Sequence, residues 1–285
     1  MKPTIQTISE QLIDIGVQYG DIILVTADLL KVGFFDKNRN ETMRIWVDML
    51  EKIVGDAGTI IAPAYTPSFL RFKKNKSLIF KNTSQTNSGA FSNALMKDSR
   101  SVRSLHPTNS YIALGRNAEE ILKLHNERAM SYSVAGEIVK RNGKHLMLGT
   151  LDKQNAPLGL HYAQELLGIT KKEPTVGLYQ TYYFDSNGEK KLFTRRDVGG
   201  CSGGGYKMLG HLIVEGAIKI GFVGNALTGL IDASKSVHIA TSVLAADQKA
   251  FICDDPTCFS CRGRWCVSGL TTPIFYAKEI YKKLK

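Results

Sequence analysis

Two short, uninterrupted apolar runs frame an amphipathic segment, and together they restrict the fold more than any other feature of the chain. Ile22-Ile23-Leu24-Val25 and Thr59-Ile60-Ile61-Ala62-Pro63 show no polar alternation, the signature of strands covered on both faces. Between them, Glu41 to Val54 carries Met43, Trp46, Val47, Leu50, Ile53 and Val54 as one helical stripe, and Gly55 stands at the natural stop. Strand, helix and strand in about forty residues make a crossover, which requires parallel pairing and helices packed against the sheet. The spacing therefore predicts an α/β fold, layered α/β/α around a mixed, largely parallel central sheet.

The rest of the chain supplies compatible pieces. Helices are expected at Ile8–Tyr19, 89–98, Ala118–His125, Ser133–Lys140, from His161 to about Leu167, and Ala233–Ala245. Strands are expected at Tyr111–Gly115, His145–Gly149 and Val176–Phe184, the last returning through the turn Asp185–Gly188 into Lys191–Thr194. Pro67 to Ser88, with Arg71, Lys73, Lys74, Lys76 and Lys81, reads as a solvated basic loop. Gly199 to Gly205 holds five glycines around Cys201 and Ser202, a flexible or tightly turning loop. Residues 1–245 are expected to form the main domain, and 246–285 a cysteine-rich extension packed on it.

The charge balance narrows the partners. The 285 residues carry 37 basic and 26 acidic side chains, a net +11, so the field draws in anions. The basic residues are spread along the chain without a nucleic-acid recognition motif, which points to a phosphorylated small molecule and away from nucleic acid. No apolar run approaches spanning length, and Met1-Lys2-Pro3-Thr4 lacks the apolar core of a secretory signal, so the expectation is a cytoplasmic protein without membrane insertion; the sequence leaves the oligomeric state open, a homodimer included. Of the five cysteines, Cys201 stands alone, while Cys253, Cys258, Cys261 and Cys266 follow a C-x4-C-x2-C-x4-C pattern. Four thiolates complete a tetrahedral zinc shell, but only Cys258 and Cys261 form the usual knuckle spacing. A structural zinc and a set of reduced, partly buried thiols both remain open.

The stretch Leu148-Gly149-Thr150-Leu151-Asp152, followed by Gly159-Leu160-His161-Tyr162-Ala163-Gln164-Glu165, leaves a strand and sets a histidine near a helix start. A neutral imidazole there is suited to removing a proton near pH 7. Three other blocks accompany it in order: Gly20 to Leu29 with Gly33; Gly55-Asp56-Ala57-Gly58-Thr59 with Pro63 and Tyr65; and Val102-Arg103-Ser104-Leu105-His106-Pro107 through Ser110 to Gly115. With these blocks the chain, over roughly residues 5 to 245, resembles the aminoglycoside 3-N-acetyltransferase family.

The resemblance implies transfer of an acetyl group from coenzyme A to an amine on a sugar, with His161 as the family's essential histidine. It places Thr26, Ala27, Asp28 and Leu29, together with Arg103 and Ser104, at the coenzyme A site. His106, Ser131 and Gln164 are candidates for contact with the acceptor, although His106 and Ser131 also read as scaffolding and a helix cap. Family members typically continue His-Tyr-Ala-Glu, whereas this chain has Gln164 in the fourth position. Glu165, one helical turn beyond His161, and Asp152 in the preceding loop are the carboxylates expected to orient the ring. His125, His145, His211 and His238 lack a constellation and read as structural or exposed. The basic balance and the lost carboxylate favour a nucleotide-linked (dTDP- or UDP-) amino sugar for surface polysaccharide as acceptor; an aminoglycoside drug is the alternative.

Overall fold

The protein, seen as a computed structural model, is described for residues 4–33, 35, 38–152, 155–169, 177–196, 201–256, 258, 261, 277, 280 and 281. Its main sheet has seven strands: β1 (Ile22–Ala27), β2 (Thr59–Pro63), β5 (Val102–Arg103), β6 (Tyr111–Gly115), β7 (Lys144–Leu148), β10 (Ile218–Val223) and β11 (Ala226–Asp232), in the order β10-β11-β7-β1-β2-β6-β5. A smaller sheet contains β3 (Phe69–Leu70), β4 (Ile79–Phe80), β8 (Tyr179–Phe184) and β9 (Lys190–Thr194).

The crossover expected from the sequence lies at the centre. β1 pairs parallel with β2 through Ile22↔Thr59 and parallel with β7 through Ile23↔Lys144 to Ala27↔Leu148. The flanking pairs, β11 with β7 and β6 with β2, are antiparallel, so the sheet is mixed and its parallel part is the central three strands. The two-residue period of the strands explains the three layers. Ile23 and Val25 pack with Trp46 and Leu50 of helix Arg39–Val54 and with Ile8 and Leu12 of helix Ile5–Asp14. Ile22 and Leu24 point the other way, toward Ile121 and Ile138 of the opposite helical layer.

Helix Ile5–Asp14 starts where the Thr4 hydroxyl accepts from the Thr7 N–H, and it stops short of the expected Tyr19. Gly16, at φ +106°, breaks the helix, while Ile15 and Val17 stay buried and keep the apolar pattern running past its end. The basic stretch 67–88, expected as a solvated loop, contributes β3 and β4. Its strands are two residues long and exist only through pairing with β8, so no local period announces them. Arg103 fastens this stretch: its guanidinium donates to the carbonyls of Asn82, Ser84 and Ala64 and lies 5.2 Å from the centre of the Phe80 ring.

Because β1, β2 and β7 run in the same direction, Ala27, Pro63 and Leu148 end at one edge of the sheet. Crevices outside the carboxyl ends of parallel strands are where open α/β sheets bind ligands. Beyond helix Ala233–Ala246, Phe251 is buried in the same core as Met208, Leu212 and Ile239. Among the described residues, no helix is long and apolar enough to cross a membrane.

Candidate active site

A cleft of about 430 Å³ opens at that edge, and Thr26, Ala27, His145, Thr150, His161, Arg195 and Ser202 are among the residues lining it. His161 enters from the first turn of helix Leu160–Leu166. Gly159, just before it, has φ +106°, and a Cβ there would lie 3.0 Å from the backbone of Val237. The sharp entry thus needs glycine for both conformation and space.

The His161 ring is held on both sides. Nδ1 is 2.9 Å from Gln164 Oε1, and Nε2 is 3.4 Å from the Ser202 hydroxyl. An amide oxygen can only accept, so this contact places the proton on Nδ1 and leaves the Nε2 lone pair facing the Ser202 side of the cleft. The Tyr132 ring packs 5.1 Å away, centre to centre. Gln164 itself is buried.

The two carboxylates expected to orient the ring each hold nearby donors. Glu165 accepts from the backbone N–H groups of Ser131 (3.0 Å) and Tyr132 (2.9 Å), and so fixes the turn that carries the Tyr132 ring. Asp152 pairs with Lys31 at 2.6 Å and accepts from Asn155 Nδ2 at 2.8 Å.

His145, which reads as structural or exposed in sequence, is buried on the cleft wall. Its Nδ1 accepts from the Leu158 N–H at 2.9 Å, leaving Nε2–H to donate to the Thr26 hydroxyl at 3.0 Å. Burial pushes its pKa down to about 3. Behind the cleft, His106 and His125 stack with centres 4.9 Å apart. His106 Nδ1 accepts from Asn109 N–H, Ser131 hydroxyl lies 3.4 Å from its Nε2, and Ser104 hydroxyl bonds His125 Nδ1 at 2.9 Å. Burial lowers both pKa values, that of His125 to about 4. A larger groove of about 880 Å³ between helices Arg39–Val54 and Ala90–Leu95 contains no histidine or cysteine among its described lining.

Comparison with known proteins decides the family. The family model for aminoglycoside 3-N-acetyltransferase matches residues 24–245. The chain belongs to the aminoglycoside 3-N-acetyltransferase family. A curated relative, aminoglycoside N(3)-acetyltransferase III of a Salmonella species, is 29% identical over an alignment of 185 residues that covers 59% of this chain and 63% of that protein, so the chain spans a little under two thirds of its length. The crystal structure of aminoglycoside acetyltransferase AAC(3)-IVa as apoenzyme is 19% identical and superimposes with a TM-score of 0.74, covering 93% of this chain and 97% of its own. A structure of AAC-IIIb, solved as a binary complex with CoASH, is 20% identical with a TM-score of 0.67, covering 86% and 97%. These two structural likenesses show the fold.

Within this family frame, the residues assigned to coenzyme A by resemblance separate into two groups. Thr26 and Ala27 line the cleft. Asp28 turns toward Lys31 at 3.3 Å, and Leu29 is buried at the start of the short helix Leu29–Val32. Arg103 and Ser104 lie buried, the former bonded to carbonyls and to the Ser110 hydroxyl, the latter accepting from the Tyr111 N–H. Among the described residues lining the cleft, the arginine is Arg195, which no motif marks. Burial lowers the Arg103 pKa to about 10.

The cysteines also assort differently from the sequence expectation. Cys201, isolated along the chain, meets Cys253, Cys258 and Cys261, all four sulfurs lying within 4.8 Å of one another. Cys266, expected as the fourth member, lies outside the described residues. Linear spacing could not reveal Cys201, because fifty-odd residues and a complete hairpin intervene.

Proposed function

We propose that this protein transfers an acetyl group from acetyl-CoA to an amine of an aminoglycoside, with His161 as general base. The observation that carries the reading is the His161 ring at the cleft, its Nδ1 bonded to Gln164, in a chain of the aminoglycoside 3-N-acetyltransferase family. The relatives, named as aminoglycoside acetyltransferases, favour an aminoglycoside over the nucleotide-linked amino sugar expected from charge.

Acetyl-CoA supplies a thioester carbonyl as the acyl donor. Its phosphates suit Arg195, and Thr26 and Ala27 at the end of β1 line the same cleft. An amine attacks only through a free lone pair, and its surplus proton must leave as the new C–N bond forms. His161 Nε2 takes that proton, the thioester C–S bond breaks, and coenzyme A leaves as a thiolate that the resulting imidazolium protonates. Gln164 holds the tautomer without adding charge, and the Ser202 hydroxyl and Tyr132 ring restrict the imidazole to one orientation.

A second reading keeps the nucleotide-linked amino sugar as acceptor. It is favoured by the absence of any carboxylate among the described residues lining the cleft, together with the presence of Arg195. Initial rates with acetyl-CoA against kanamycin-type aminoglycosides and against dTDP- or UDP-amino sugars separate the two. Acetylated aminoglycoside is the expected product, and His161→Ala should lower kcat by about 10²- to 10⁴-fold with an unchanged melting temperature. Turnover of nucleotide sugars alone would install the second reading. Coenzyme A binding without turnover of either class would mark a binding protein.

A further inference from the structure

Four cysteine sulfurs from two distant stretches of chain converge beside the cleft. The Sγ atoms of Cys201, Cys253, Cys258 and Cys261 lie within 4.8 Å of one another, Cys253 and Cys261 are buried, and all four are free of disulfides. A tetrahedron built with Zn–S bonds of about 2.3 Å has edges of about 3.8 Å, so a small contraction closes the shell around an ion. Backbone donors already address the sulfurs: the Gly203 N–H points at Cys201 Sγ (3.3 Å) and the Cys253 N–H at Cys261 Sγ (3.5 Å). Such donors stabilise thiolate charge. The Lys207 ammonium, at the end of the turn that follows Cys201, bonds the Ile252 carbonyl at 2.6 Å and Asp254 at 3.0 Å and so ties that turn to the segment carrying Cys253.

We propose that Cys201, Cys253, Cys258 and Cys261 bind one zinc ion that clamps the 251–261 segment onto the glycine-rich turn next to His161. An all-sulfur, four-coordinate set suits zinc and leaves no open position, which makes the ion structural. Binding replaces thiol protons by metal and changes no oxidation state. The glycines explain how the clamp reaches the cleft. A Cβ at Gly204 would collide with the Phe251 carbonyl, and one at Gly205 would lie 2.6 Å from Ala156 Cα. The turn Ser202–Lys207 is therefore pressed between the segment leading to Cys253 and the loop at Asn155–Ala156 on the cleft wall. Cys201 adjoins Ser202, so the ion anchors the hydroxyl that stands 3.4 Å from His161 Nε2. The site stands on sulfur geometry alone and does not depend on acetyl transfer.

Elemental analysis of the full chain, purified under reducing conditions with zinc in the medium, tests the assignment. About one zinc per chain is expected, and cobalt substitution should give intense thiolate-to-metal charge transfer with the visible bands of a tetrahedral site. Cys201→Ser and Cys258→Ser should each lower metal content and melting temperature, whereas Cys266→Ser should leave the metal content unchanged. Where a cysteine variant fails to fold, the wild-type stoichiometry and cobalt spectrum still decide. Wild-type protein that takes up no zinc while its cysteines titrate as thiols, or that pairs them as disulfides by mass spectrometry, would overturn the proposal. So would zinc retained by Cys201→Ser but lost from Cys266→Ser.

Discussion

Gln164 sits where the family pattern carries a carboxylate, and it bonds the one histidine nitrogen that must stay protonated if the other is to act as base. A neutral amide orients the ring without stabilising imidazolium. Gln164→Glu adds a negative charge beside Nδ1–H, which favours the protonated ring, so the acid limb of the kcat/KM profile should move to higher pH. Gln164→Ala should lower kcat without that displacement. An identical pH profile for wild type and Gln164→Glu would remove Gln164 from the positioning role. The buried histidines carry a separate consequence, for stability. His145 and His125, lowered to about 3 and about 4, and His106, also lowered, stay neutral when folded, while the unfolded chain protonates them below about 6.5. The unfolded state then binds more protons, so stability is full above that pH and falls as pH drops through it. Each histidine contributes about 1.4 kcal/mol per pH unit, roughly 4 for the three, against a typical total of about 5–15 kcal/mol. Urea midpoints should collapse between pH 6.5 and 4; a flat midpoint across that window would contradict the buried, neutral triad. The sequence singles out His161 because a motif surrounds it, whereas His145 is distinguished only by the walls that fold around it.

Among the elements, those with an internal period could be read from the chain, and those made by pairing could not. The runs 22–25 and 59–63 are apolar on both faces because helices cover both, so composition alone betrays their place. β3 and β4 are dipeptides in a basic stretch, and their strand state is imposed by β8. The glycine-rich turn is intermediate: five glycines announce a flexible or tightly turning loop, but not the backbone that packs against it. Substitution can separate glycines that the turn needs from one that it does not. Gly204→Ala drives a methyl into the Phe251 carbonyl and should destabilise by about 1–3 kcal/mol. At Gly210, in helix Met208–Val214, an added methyl would meet nothing within 4 Å, and Gly210→Ala should stabilise by about 0.5–1 kcal/mol. Denaturation curves of the two variants should therefore shift in opposite directions. A Gly204→Ala protein as stable as wild type would mean that the turn does not press on the 251–252 segment.

For the molecule as a whole, the net +11 sets up a field that treats the two proposed substrates, acetyl-CoA and an aminoglycoside, oppositely. Acetyl-CoA approaches as a polyanion toward a cleft whose described lining includes Arg195 and no carboxylate. A polycationic aminoglycoside approaches against the same field. At about 0.01 M salt the field extends about 30 Å from the surface, and at about 0.15 M only about 8 Å. Raising sodium chloride over that range should therefore raise KM for acetyl-CoA and lower KM for the aminoglycoside, each by several-fold, up to about ten-fold. A nucleotide-linked amino sugar, itself an anion, would instead lose affinity with salt in parallel with acetyl-CoA, so the same titration also reports on the acceptor. Should an aminoglycoside bind less tightly as salt rises, carboxylates near the acceptor would be outweighing the net charge. Net charge would then be the wrong guide to this cleft and would give no reason to prefer an anionic acceptor.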